Sequence, residues 1–219
     1  LSWIINPWNI SQHSGFSEDD FYNYGKWVGD RYKDYNNIIW LGLNECTYQG
    51  VPEGKVKALL NGIRDGDTGD KLIKIHPMAG SNASHWFADV IDIYTWQTAR
   101  ILAPETLPYL LPVPPNTPAV EGDYTVWEAI SSDYNREEVK PVIDLESWYE
   151  NAEDDFISEY FTGAISTAWH VRRRAWFAIL AGAFGHTYGA RGLAHPVEGD
   201  SWRTALEFEG GDDMQHIVN

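Results

Sequence analysis

The stretch Lys140-Pro141-Val142-Ile143-Asp144-Leu145-Glu146-Ser147-Trp148-Tyr149-Glu150 decides how this chain folds. A short apolar run, opened by a proline and closed by carboxylates, reads as a strand buried on both faces, which is the strand of a parallel sheet. A second stretch has the same form: Asn37-Ile38-Ile39-Trp40-Leu41-Gly42-Leu43-Asn44-Glu45. Each runs from apolar residues straight into a glutamate. Parallel barrels present functional groups at those C-terminal strand ends.

Outward from these two, short apolar runs alternate with amphipathic stretches, the pattern of repeated βα units. Leu1 to Asn6 reads as a strand ending at Pro7-Trp8-Asn9. Ser17-Glu18-Asp19-Asp20 has the form of a capping box, and the helix it opens carries Phe21, Tyr24, Val28 and Tyr32 on one stripe. Lys55 to Arg64 predicts a second helix, closed by the Asp65-Gly66-Asp67 turn. Lys71 to His76 is a strand halted by Pro77, and Val90 to Thr95 is another, leading into Trp96-Gln97. Six prolines between residues 103 and 123 exclude a helix and predict a long ordered loop or lid. Val126 to Ser131 predicts a short helix. Phe156 to Phe184 is the longest helical stretch, with Ile165, Trp169, Trp176 and Leu180 expected on its buried face. Gly185 to Gly189 forms the last strand and its turn.

About six strands alternating with helices predict an α/β fold, a (β/α)8 TIM barrel. A complete barrel takes roughly 250 residues, and this chain has 219. The expectation is therefore one catalytic barrel domain over 1–219, holding barrel strands three to eight and incomplete at the N-terminus. An open barrel exposes strand edges, so the first two βα units are either unrecorded or supplied by another chain.

Composition narrows the partners. A net charge of −16 argues against nucleic acid and anionic membrane surfaces, and no apolar run approaches the length of a membrane span. Cys46 is the only cysteine, which excludes a disulfide framework and a thiolate cluster. No His/Cys/Asp spacing resembles a metal site, no glycine-rich loop suits a phosphate, and no Gly-x-Ser-x-Gly elbow is present. No metal and no cofactor are expected. The 11 Trp and 12 Tyr either fill a core or line a cleft, where aromatic faces stack on pyranose rings.

Two carboxylates brought to one rim are the apparatus of glycosidic bond hydrolysis, about 5–5.5 Å apart when configuration is retained. Glu45, following Asn44, suits the acid/base, because the amide can hydrogen-bond a sugar hydroxyl beside the reaction centre. Glu146 suits the nucleophile. Asp144 shares its face of the strand and suits binding or orientation.

On these motifs the chain resembles the apiosidase-like glycoside hydrolases, a (β/α)8 family related to a large retaining clan. Lys140 to Glu150 is similar to the family's K-P-V-L-D-G-E-x-x-Y-E pattern, and Val171-Arg172 through Ala181 to Ala190 to its V-R…A-G-A-x-G-H-T-Y-G-A pattern. The chain departs at Leu43-Asn44-Glu45, where the family usually has Gly-Gly-Asp, and at Leu193-Ala194, where it often has Trp. The resemblance implies a retaining hydrolase of plant cell-wall polysaccharide, with apiose-bearing pectin side chains as one substrate. A β-glycanase of the wider clan and a carbohydrate-binding barrel without turnover are the alternatives. The expected location is secreted or periplasmic, with any signal peptide lying before Leu1.

Other rim residues are candidates as well. Trp8, Asn9 and Trp148 offer stacking surfaces. His76, in the His-Pro that the resemblance places at a strand end, either meets substrate, tunes a carboxyl group or sits satisfied in the core. Gln97 either hydrogen-bonds sugar or packs the rim. Tyr188 either donates to Glu146, lines the site or packs in the core. Arg172 is expected to pair with a barrel carboxylate such as Asp144, with Arg173 and Arg174 solvated.

Overall fold

The computed structural model describes residues 2–4, 15–44, 52–68, 71–77, 80–98, 122–152, 165–193 and 201–218. Strands and helices alternate along it: β1 (Ser2–Ile4), α1 (Glu18–Tyr32), β2 (Ile39–Leu41), α2 (Glu53–Gly66), β3 (Ile73–Lys74), α3 (Ser84–Phe87), β4 (Tyr94–Gln97), α4 (Gly122–Tyr134), β5 (Val142–Glu146), β6 (Tyr149–Glu150), α5 (Ala168–Leu180), β7 (Gly185–His186), β8 (Gly189–Ala190), α6 (Ser201–Ala205), α7 (Glu209–Asp213) and α8 (Gln215–Val218). The pairings with a defined register are all parallel. Two compact units result, one of residues 1–78 and 82–95, the other of 79–81 and 96–219. Among the described residues no helix is long and apolar enough to cross a membrane.

In the first unit the sheet runs β1-β2-β3. The capping box forms as the sequence predicts: Ser17 Oγ accepts from Asp20 N–H, and Asp20 accepts from Ser17 N–H at 2.7 Å. The buried stripe of α1 differs from the predicted one. It is Gly25, Val28 and Gly29, and Tyr24 is exposed. The reason lies in α2, which approaches so closely that only glycines fit between the backbones. A Cβ at Gly25 would lie 2.2 Å from Leu59 O, and one at Gly62 would lie 2.1 Å from Tyr22 O. Gly29 and Gly66 repeat the arrangement one turn on. Beneath this pair, Val56, Leu60, Ile63 and Ile75 are fully buried.

The strand predicted at Val90 to Thr95 begins later, at Tyr94. Val90 and Ile91 are instead tied to Phe87 O in the turn after α3. Asp92 spends its carboxylate on Ile73 N at 2.8 Å and on Arg64 at 3.0 Å. Asp92 N–H also donates to Ile73 O at 2.8 Å, so the segment before β4 is held against Ile73 by one residue.

β4, β5 and β7 form one sheet, with β5 and β7 parallel, and β6 and β8 form another parallel pair. The described helix α5 starts at Ala168, and residues 156–164 of the predicted helix lie outside the described residues. Its predicted core face is overturned. Trp169 is 50% exposed and Leu180 65%, Ile165 and Trp176 are exposed as well, and the buried residues are Val171, Arg174, Ala175 and Ala178. Small side chains let the helix settle close to the sheet, and the tryptophans stand outside. Arg173 lies 4.7 Å from the Trp169 ring and 5.2 Å from Phe177, a cation over aromatic faces.

Gly62→Ala is expected to lower stability by about 1–3 kcal/mol, because backbone must move to admit the methyl. Urea unfolding checks it. Ala at exposed Asn61, on the same helix, should be near neutral.

Candidate active site

Strand β5 carries Asp144 and Glu146 on one face, and Ile143 and Leu145 on the other. Register sets the neighbours: Ile143 pairs with Gly185 and Asp144 with His186. Asp144 is fully buried, accepting from Thr98 Oγ1 at 2.8 Å and from Thr98 N at 3.3 Å. His186 Nδ1 lies 3.3 Å from Oδ2, the oxygen that also accepts from Thr98 Oγ1, an ion-pair distance without hydrogen-bond alignment. Glu146, at the C-terminal end of the strand, is half-buried and accepts from Tyr149 OH at 2.7 Å.

The register then steps by two residues. Beyond Glu146 the pairing resumes with Tyr149 opposite Gly189 and Glu150 opposite Ala190, so Ser147 and Trp148 form an excursion between two ladders. Gly189 has no room for a side chain, since a Cβ there would sit 2.0 Å from the Tyr149 ring. That close approach keeps the phenol beside Glu146. The step also re-aims Tyr188. Its hydroxyl donates to Glu150 at 2.7 Å, not to Glu146. Glu150 is buried and also accepts from Gly210 N at 3.4 Å. Burial first, and then the bond to Glu150, raise the Tyr188 phenol above its ordinary value of 10.0.

The arginine run is sorted differently from expectation. Arg172 pairs with Asp213 and Glu209 on α7, not with Asp144. Arg174, expected in solvent, is 0% exposed. Its Nε donates to Ser147 Oγ at 2.9 Å, and one terminal nitrogen donates to Thr98 O at 2.7 Å and to Thr98 Oγ1 at 3.2 Å. The guanidinium carbon also lies 4.5 Å from the Trp148 ring centre. Since Thr98 Oγ1 passes its own proton towards Asp144, a buried cation and a buried anion are joined through one hydroxyl.

Glu45 and Trp8 lie outside the described residues, as do Asn9 and Cys46. Asn44 and His76 belong to the first unit, and Gln97, Glu146, Trp148 and Tyr188 to the second. Asn44 is half-buried after β2. His76 is buried, and its Nδ1 lies 3.0 Å from Pro77 O, which as a carbonyl can only accept. Lys74 shares its face of β3, and burial pushes that amine below its usual range. Gln97 is fully buried at the end of β4. Among the described residues no group of three His, Cys, Asp or Glu is placed to hold a metal ion.

The sequence profile of the apiosidase-like catalytic domain matches residues 2–219. The chain belongs to the apiosidase-like family. Among curated proteins none matches it. Among solved structures it is similar to a glycoside hydrolase at 26% identity and TM-score 0.74, over 95% of this chain and 48% of that one. It is also similar to a family 5 glycoside hydrolase from Bacteroides vulgatus ATCC 8482, at 25% identity and TM-score 0.78, over 100% and 48%. A glycoside hydrolase described as putative, from the same organism, shares the fold at 17% identity and TM-score 0.58, over 87% and 32%. The chain thus spans about half the length of the first two structures. The fold is α/β with parallel sheets, in common with these glycoside hydrolases.

In this apiosidase-like chain Tyr149, Glu150, Thr98 and Ser147 had no role expected from the sequence, and Arg174 was expected in solvent. Tyr149 and Glu150 were legible in the E-x-x-Y-E end of the strand motif. Arg174 had one signal, its place at the i+3 position from Val171 with Ala175 and Ala178 following.

Tyr188→Phe is expected to cost about 1–3 kcal/mol by leaving a buried carboxylate short of a donor. A phenol raised in the folded state stabilises fully below pH 10.0 and loses that contribution as pH climbs through the folded value. Denaturation from pH 7 to 11 should therefore show a constant gap between wild type and variant up to pH 10.0 that begins to narrow above it. Asp144→Ala should cost on the order of 3 kcal/mol, by leaving the buried arginine uncompensated; thermal unfolding reads it.

Proposed function

We propose that this chain supplies the catalytic machinery of a retaining glycoside hydrolase with (β/α)8 architecture, acting on plant cell-wall polysaccharide. Apiose-bearing pectin side chains are the first substrate to try. One observation carries the reading: in a chain of this family, a half-buried carboxylate stands at the C-terminal end of a parallel strand, held by a phenol at 2.7 Å. Glu150, the other glutamate of the motif, is buried and engaged by Tyr188 and Gly210, which leaves Glu146 as the carboxylate able to meet a sugar.

In the proposed reaction a Glu146 oxygen attacks the anomeric carbon as the bond to the leaving oxygen breaks. Glu45 gives that oxygen its proton. Glu45 then removes a proton from water, whose oxygen displaces Glu146 from the sugar. Trp148 would stack against the substrate, and Asn44 would hydrogen-bond a hydroxyl beside the reaction centre. A polysaccharide is met outside the cytoplasm, so a secreted or periplasmic location is part of the proposal. The Asn44-Glu45 pair, where the family usually has Gly-Gly-Asp, favours a second reading, a β-glycanase of the wider clan acting on another polysaccharide.

The test is a panel of pectin, arabinoxylan, β-glucan and 4-nitrophenyl glycosides, with products read by mass and first-product anomer by NMR. Retention of configuration is expected, and pectin against β-glucan separates the two readings. Glu146→Gly should lose on the order of 10⁴-fold or more in kcat, the scale of a lost nucleophile, and azide should restore turnover as a glycosyl azide of inverted configuration. Wild-type rates in Glu146→Gly would remove the nucleophile.

A further inference from the structure

Arg174 joins two places that the sequence keeps 49 residues apart. Thr98 is the first residue after β4 and Ser147 the first after β5, and both accept from the one guanidinium at 2.7 and 2.9 Å. These are C-terminal ends of neighbouring parallel strands, the side on which such folds do their chemistry. Ser147 and Trp148 are also the two residues through which the register steps, and the guanidinium takes Ser147 by its hydroxyl and Trp148 by its ring. An apolar residue could fill the same volume. What a planar, five-donor fork adds is direction, since its bonds lie in one plane and its face stacks on the indole.

We propose that Arg174 is a positioning residue for this site: by clamping Ser147 and Trp148 it sets the bend after Glu146, and with it the aim of the carboxylate and of the neighbouring aromatic face. The inference rests on Glu146 acting as nucleophile and Trp148 as a stacking surface. Arg174 touches neither substrate nor the reacting atoms. It acts through the two residues that follow Glu146.

The experiment compares wild type, Arg174→Lys and Ser147→Ala, each also in a Trp148→Phe background. Lysine keeps the charge and loses the fork. Turnover is measured with the 4-nitrophenyl glycoside hydrolysed fastest in the panel above. Trp148 emission and its acrylamide quenching are taken as the difference between each protein and its Trp148→Phe partner. With melting temperature held within about 5 °C, Arg174→Lys should lower kcat about 10²-fold, the scale of a misplaced reacting group. Its Trp148 signal should become at least twofold more quenchable. Unchanged kcat together with unchanged Trp148 quenching overturns the proposal. If Arg174→Lys fails to fold, Ser147→Ala decides: a roughly tenfold fall in kcat at unchanged melting temperature supports the clamp, and wild-type kcat overturns it. If wild type hydrolyses nothing in the panel, the functional reading fails on its own. The quenching comparison then still decides whether Arg174 holds Trp148.

Discussion

A guanidinium sealed from water is the constraint around which the second unit is arranged. An arginine with 0% exposure is tolerable only where the protein replaces its hydration with fixed acceptors and a nearby anion. The chain meets that demand from two strands: Thr98 after β4, Ser147 after β5, and Asp144 within β5, reached through the Thr98 hydroxyl. Each of those groups is thereby fixed in place. The same demand explains why α5 turns its arginine and alanines inward and leaves its tryptophans outside.

The register step beyond Glu146 is the second determinant. Had the pairing of β5 with β7 continued unbroken, Tyr188 would have come opposite Glu146. The Ser147-Trp148 excursion instead gives each glutamate its own phenol, Tyr149 to Glu146 and Tyr188 to Glu150. The two carboxylates diverge in character as a result. Glu150 is buried and joined to Gly210 in α7, a structural group, while Glu146 stays half-open at the strand end.

In the first unit the equivalent determinant carries no charge. Four glycines on α1 and α2 bring two backbones into contact, so the helix pair packs by shape and not by the aromatic stripe that α1 displays. Tyr24 and Trp27 remain outside, their rings stacked on each other at 6.0 Å. On α1 and α5 small residues, and not the aromatic ones, mark the face the helix buries.

Local sequence determined what depends on neighbours along the chain. The strand into Glu146, the helix opened by Ser17, the alternation of strand and helix, and the candidacy of Glu146 and Trp148 were all legible, because apolar runs, caps and strand parity are local. Tertiary structure alone decided what depends on approach between segments. It chose Gly25 over Tyr24 and Arg174 over Trp169 as inward residues, moved the start of β4 behind Asp92, and gave Tyr188 to Glu150. Periodicity says that a helix has faces. Which face is buried follows from how near another backbone or a buried charge comes, and that distance is a property of the folded chain.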